Sequence, residues 1–179
     1  QMCIRDRCRA VLPRLGLRTD GEFEWMPERP WLNKRLTEQG FEAGLRWVVL
    51  CPGTRWPSKQ WPVEYFEQLM GELAGGSVRF AVVGSGAEKV LGKRLAGRKD
   101  CVDLTGKTTL PEMTEWLRAS SVVVTNDSGP MHVAAAVGTP VIALFGPTNA
   151  SKTGPYHARG TVLAADSKDC AACARGLSY

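Results

Sequence analysis

No apolar run in this sequence approaches the roughly 20 residues a membrane-spanning helix requires, so nothing in it predicts a bilayer crossing. There is no signal-peptide pattern, no internal repeat and no low-complexity tract. Charge of one sign is not clustered either. The net charge is +5 and the pI about 9.0, yet basic residues alternate with acids, as in Glu88-Lys89 and in Lys93-Arg94 followed by Asp100. A mixed surface of that kind excludes a nucleic-acid partner and leaves only a weak attraction to anionic lipid headgroups. The full dinucleotide fingerprint is also missing: after Gly84-Ser85-Gly86, Lys89 stands where the third glycine belongs, which argues against a nicotinamide-dependent oxidoreductase. Cysteine occurs six times without a secretory signal, so reduced thiols of a cytosolic protein are expected rather than a disulfide framework. Cys170-Ala-Ala-Cys173 has the spacing of half a zinc site or a redox pair. Two further ligands at suitable spacing are lacking, and no metal is expected.

What is present is the composition of a water-soluble globular protein, 179 residues with 44% hydrophobic and 23% charged. That length accommodates one ordinary domain plus remnants. Gln1 to Cys8 resemble neither a signal nor a helix start and are read as an artefact of assembly. Val11 to Pro30 carries Pro and Gly punctuation, and Trp31 to Phe41 has the weak apolar spacing of one short helix. Residues 1–45 are therefore read as artefact plus the remnant of an interdomain linker, and the folded domain as residues 46–179.

From Arg46 onward short apolar runs alternate with amphipathic stretches, the pattern of successive βα units. Trp47–Cys51, Arg79–Val83, Val122–Thr125 and Val141–Phe145 are unbroken and rich in β-branched residues, as strands buried on both faces should be. Val102–Leu104 and Thr161–Leu163 are fainter candidates. Helices are predicted over Val63–Leu73, Ala87–Ala96 (apolar at Val90, Leu91 and Leu95), Leu110–Ala119 and Met131–Val137. The order predicts an α/β fold, a Rossmann-like doubly wound parallel sheet, whose ligands sit beyond the carboxyl ends of the strands.

The strand-end loops then carry the chemistry. After the first strand, Gly53 permits close backbone approach, Thr54 offers a hydroxyl, and Arg55 and Lys59 offer cations just before a helix start, the outline of a diphosphate site. A surface loop with ordinary basic residues and two tryptophans is the alternative. After the second strand, Gly84-Ser85-Gly86-Ala87-Glu88 admits a ligand against the backbone, with Glu88 able to accept from ribose hydroxyls; equally, Glu88 suits the first turn of a helix. The third loop is the most specific: Asn126-Asp127-Ser128-Gly129-Pro130-Met131-His132, then Val133-Ala134-Ala135-Ala136 and Gly138-Thr139-Pro140. Asp127 and Ser128 are capping types, and the small side chains that follow allow close approach. N–H groups at Ser128 and Gly129 can bind phosphate oxygens, whereas the Asp127 carboxylate repels phosphate and suits sugar hydroxyls. His132 lies one turn further on, as a ligand contact or as a structural residue. Gly146-Pro147-Thr148-Asn149 either lines the same crevice or makes a tight turn.

The Asn126–His132 segment, the alanines after it, Phe145-Gly146-Pro147-Thr148, Lys59-Gln60-Trp61-Pro62 and the Gly84–Glu88 loop together closely resemble glycosyltransferase family 9, and most of all its heptosyltransferase II branch. The likeness runs from about Arg46 to the end. It implies a GT-B enzyme with two Rossmann-like domains, of which this chain is the C-terminal, donor-binding one, cut short at its own C-terminal end. It implies inverting transfer of heptose from ADP-heptose to an inner-core lipopolysaccharide acceptor, in the cytoplasm, with peripheral contact at the cytoplasmic face of the inner membrane and no cofactor. By position, Lys59 resembles the lysine on the donor diphosphate with Thr54 beside it, Glu88 the acid near the nucleoside, and Asp127 the acid that holds heptose hydroxyls. Gly129 and His132 complete that wall, while Lys59, Ser128 and Gly129 stabilise the leaving group. The catalytic base belongs to the family's other domain, so the chain alone is expected to bind donor weakly and transfer nothing. A glycosyltransferase for another nucleotide sugar and a non-catalytic nucleotide-binding module are the competing readings.

Overall fold

The β-branched runs pair side by side in a six-stranded sheet whose strands all run parallel. The computed structural model describes residues 12–15, 26–156 and 160–165. Gln1–Cys8 and the pair Cys170 and Cys173 lie outside them. In chain order the strands are β1 (Arg46–Cys51), β2 (Val78–Val82), β3 (Cys101–Asp103), β4 (Val122–Asn126), β5 (Val141–Phe145) and β6 (Gly160–Ala164), arranged β3-β2-β1-β4-β5-β6. The helices are α1 (Asn33–Glu38), α2 (Val63–Leu73), α3 (Lys89–Leu95), α4 (Leu110–Ala119), α5 (Gly129–Ala136) and α6 (Ala150–Thr153). The chain winds outward from β1 to β3, then returns to the centre and winds the other way through β4. The Rossmann-like sheet expected from the sequence is the one that forms.

Side-chain alternation divides the core into two layers. Trp47, Val49 and Cys51 of β1 face a layer containing Leu36 of α1, Trp116 and Leu117 of α4, and Met131 and Ala134 of α5. Val48 and Leu50 face Phe66 and Met70 of α2 and Leu95 of α3. Phe66 and Met70 are both wholly buried. Burial on that scale contributes about 1.5–3 kcal/mol for each such side chain.

The short helix expected within Trp31–Phe41 forms, as a 3₁₀ turn at Pro30–Leu32 and α1, and it packs on the domain: Leu36 enters the core, and Trp116 Nε1 donates to Gln39 Oε1 at 2.7 Å. Phe41, Trp47 and Trp116 form an aromatic triad with centroids 5.2–5.6 Å apart. In α3, Val90 is 78% exposed although its spacing placed it on the apolar stripe. The inward stripe runs instead through Gly92 and Leu95, because a Cβ at Gly92 would lie 2.4 Å from Asp103 Oδ1 and only hydrogen lets the helix approach β3 so closely.

The helix after the most specific loop ends as its sequence implies. Gly138 takes φ +77°, its N–H bonds to Ala135 O at 3.2 Å and the Thr139 N–H to Ala134 O at 3.1 Å. This left-handed stop turns the chain through Pro140 into β5. It keeps α5 short and aims its N-terminus back at the carboxyl edge of the sheet.

Candidate functional site

The register of β1 against β4 sets the site. Leu50 pairs with Val124 and Cys51 with Thr125, so the loops starting at Pro52 and Asn126 emerge side by side where the winding reverses. That switch point is where an open α/β sheet leaves a crevice. β5 adds the third wall: Asn126 pairs with Leu144, and the Asp127 N–H donates to Leu144 O at 3.1 Å.

Within this frame Asn126 is wholly buried and holds the first loop at two points. Its Nδ2 donates to Pro52 O at 2.7 Å, and its Oδ1 accepts the Trp61 N–H at 3.1 Å. Only one orientation of the amide satisfies both bonds. The intervening residues form a 3₁₀ turn at Pro57–Lys59, with Gly146 packed beneath it so closely that a Cβ there would meet Ser58 O at 3.3 Å. The turn carries Lys59 over Asp127: Nζ and Oδ2 are 2.7 Å apart, with side-chain exposures of 18% and 7%. Thr148 Oγ1 donates to the same Oδ2, also at 2.7 Å. Three strand-end loops thus converge on one largely buried carboxylate oxygen.

The start of α5 lies beside this cluster. Ser128 occupies the N-cap position in extended conformation, as its residue type implies, but its side chain makes no capping bond. Its Oγ instead donates to Asn126 O at 3.2 Å and lies 3.3 Å from Thr125 Oγ1. Pro130 has no N–H and the Met131 N–H bonds to Ser128 O at 3.2 Å, which leaves the Gly129 N–H as the open first-turn donor among the described residues, at the end of the helix where the dipole is positive. His132 is exposed and has no hydrogen-bond partner among the described residues. Thr54 is half-buried and likewise unpartnered among them. Arg55 lies over Trp56, its guanidinium 5.8 Å from the ring centroid.

Glu88 joins the first two loops in a different way. Its Oε2 accepts both the Ser85 N–H and the Ser85 hydroxyl at 2.6 Å, forming a capping box that opens the Gly86–Glu88 turn. Gly53 and Gly84 are small because of Glu88: a Cβ on Gly53 would sit 2.5 Å from Glu88 Cγ, and one on Gly84 3.0 Å from Glu88 Cβ. Gly53 thus admits this side chain, where the sequence reading gave it a backbone approach to a ligand.

Among the residues anticipated from sequence, the structure brings Lys59, Asp127 and Ser128 together, with Gly129 at the adjoining helix start, and holds Glu88 against Gly53 on the neighbouring strand end. Asn126 as the loop clamp and Thr148 as the second donor to Asp127 were not anticipated. The signal for Thr148 was its place in the Gly146–Asn149 loop after β5, one of whose two readings lined the same crevice.

The sequence carries the corresponding family signature. Residues 5–178 match the glycosyltransferase family 9 (heptosyltransferase) model. The chain belongs to glycosyltransferase family 9. It is 36% identical over 138 residues to lipooligosaccharide heptosyltransferase 2 of Haemophilus influenzae, an alignment covering 73% of this chain and 40% of that protein. In three dimensions it resembles the Escherichia coli ADP-heptose lipopolysaccharide heptosyltransferase II, with TM-score 0.73 and 26% identity over 83% of this chain and 47% of that one. It is also similar to the E. coli heptosyltransferase WaaC with ADP, with TM-score 0.65 and 28% identity over 76% and 42% of the two chains. The chain spans less than half the length of each of these relatives.

Proposed function

We propose that this chain is the donor-binding half of an inverting GT-B heptosyltransferase, which moves heptose from ADP-heptose to an inner-core lipopolysaccharide acceptor. The observation that carries the reading is the Lys59–Asp127–Thr148 cluster at the switch point of the sheet, beside an uncapped helix start. Lys59 and the N–H groups of Ser128 and Gly129 meet the donor diphosphate. Asp127 takes heptose hydroxyls, with His132 and Thr54 lining the wall, and Glu88 uses its remaining carboxylate oxygen for the nucleoside ribose.

In the transfer the bond from the anomeric carbon to the diphosphate oxygen breaks and ADP departs with the electron pair. Positive charge already fixed at Lys59 and the start of α5 stabilises the charge that develops there, and preorganised donors of this kind contribute about 3–4 kcal/mol apiece at a reacting centre. The acceptor hydroxyl loses its proton to a base that we assign to the part of the relatives' length this chain does not span. The reaction is proposed to be cytoplasmic, at the membrane face where a lipid-linked acceptor resides. The proposed contact there is peripheral; no described helix is long and apolar enough to cross a membrane.

Calorimetric titration of the 179-residue chain with ADP-heptose, ADP, UDP-sugars and GDP-sugars tests the assignment. ADP-linked ligands are expected to bind and the others not. Lys59→Gln, which keeps an amide donor for Asp127 and removes the charge, is expected to weaken ADP binding about ten- to a hundredfold. Unchanged ADP affinity in that variant, or equal binding of all the nucleotide sugars, would rule the assignment out.

A further inference from the structure

The cation assigned to the donor diphosphate is already bonded to an anion of the protein. Lys59 Nζ and Thr148 Oγ1 both donate to Asp127 Oδ2, each at 2.7 Å, and Oδ1 accepts no hydrogen bond among the described residues. An ionised carboxylate only accepts, so Oδ1 welcomes hydroxyls and repels phosphate oxygens. A lysine ammonium has three N–H donors, so Lys59 can keep its bond to Asp127 and reach a second anion. The two ligands of the site differ in the properties Asp127 senses. A nucleotide sugar presents hydroxyls and a diphosphate whose terminal phosphate is esterified. The spent nucleotide has lost the sugar's hydroxyls, and its terminal phosphate, no longer esterified, gains a second negative charge.

We propose that Asp127, held in place by Lys59 and Thr148, makes the site discriminate sugar-charged nucleotide from spent nucleotide and thereby expels the product. The inference rests on the diphosphate assignment of Lys59 and adds what that assignment lacks, a reason for ADP to leave a site built to hold its phosphates. While heptose is present, its hydroxyls occupy Oδ1 and outweigh the repulsion. Once the sugar has gone, the carboxylate faces a phosphate dianion across Lys59, which stays bonded to Asp127. Thr148 is a positioning residue, because it fixes which oxygen serves Lys59 and which is left for the sugar.

The test is the ratio of dissociation constants for ADP and ADP-heptose, measured by calorimetry without acceptor on the 179-residue chain. Wild type is expected to favour ADP-heptose. Asp127→Asn is expected to bind ADP about fivefold more tightly or better, since one unit of like charge at close range has gone, and to lose most of the preference. Thr148→Val is expected to narrow the preference by weakening ADP-heptose alone, and Thr148→Ser to restore it. A folded Asp127→Asn variant that binds ADP no tighter than wild type would overturn the proposal. If Asp127→Asn does not fold, a Thr148→Val variant that keeps the full preference overturns it instead. A wild-type chain that binds neither nucleotide would overturn the diphosphate assignment itself, a separate outcome.

Discussion

Asn126 shows how much one side chain can organise, since its amide bonds to the Pro52 carbonyl and to the Trp61 N–H across the loop that carries Lys59. Asn126→Asp would set a carboxylate oxygen against the Pro52 carbonyl and lose the donor. We expect it to cost about 2–3 kcal/mol in urea denaturation, through an unsatisfied buried acceptor, and to weaken ADP binding by freeing the turn at Pro57–Lys59. His132 is the contrasting case. It is exposed and unpartnered among the described residues, so His132→Ala should leave the unfolding free energy within about 0.5 kcal/mol of wild type. A loss of ADP-heptose affinity in that variant would then report a ligand contact, whereas a large loss of stability would show a structural role.

At the scale of elements, the helices of the sheet are started in two ways. α4 has a complete capping box: Glu112 Oε2 accepts the Thr109 N–H at 2.6 Å, and Thr109 Oγ1 accepts the Glu112 N–H. α5 has no side-chain cap and opens on the crevice. Thr109→Ala should destabilise the fold by about 1 kcal/mol without changing nucleotide affinity. The same box gives a pH dependence. The Thr109 N–H, and then Arg35 at 2.8 Å, hold Glu112 below the ordinary glutamate value of 4.5. A carboxylate depressed in the folded state contributes stability that is present above 4.5 and lost as pH falls through its lower folded value. Glu112→Gln should therefore flatten the acid limb of a stability curve below that pH, and an unchanged limb would contradict the assignment.

Across the whole molecule, the parallel sheet encloses a thiol whose ionisation burial opposes. Cys51 ends β1 inside the core, and burial pushes it up to about 12 from an ordinary 9.0, with Thr125 offsetting part of the rise. A group raised in the folded state contributes stability that is intact below the unfolded value and is lost as pH rises toward the folded one. Between about 9 and about 12, stability should fall with a contribution near 1.4 kcal/mol per pH unit from this thiol. Guanidinium melts across that range should show the slope reduced in Cys51→Ala. Native chain exposed to iodoacetamide at neutral pH should carry no label at Cys51 by mass spectrometry, and labelling there should follow global unfolding.

The sequence alone determined the order of strands and helices and the family. Those depend on local pattern, on β-branched runs spaced by amphipathic stretches and on loop residues whose types are decided within a few positions. It also singled out Lys59, Glu88 and Asp127, from their places in the strand-end loops and from the family resemblance. Only the tertiary structure decided how these residues engage one another. Lys59 and Asp127 are 68 positions apart, and their bond exists because β1 lies in register with β4 and because Asn126 ties down the intervening loop. Thr148 reaches Asp127 through the pairing of β4 with β5, and Gly53 is small to admit Glu88 from the next strand end. Residues 30–41 join the core through Leu36 and Gln39, contacts with the distant α4 that a weak local period could not announce. Long-range register sets these contacts, and no local window of sequence contains it.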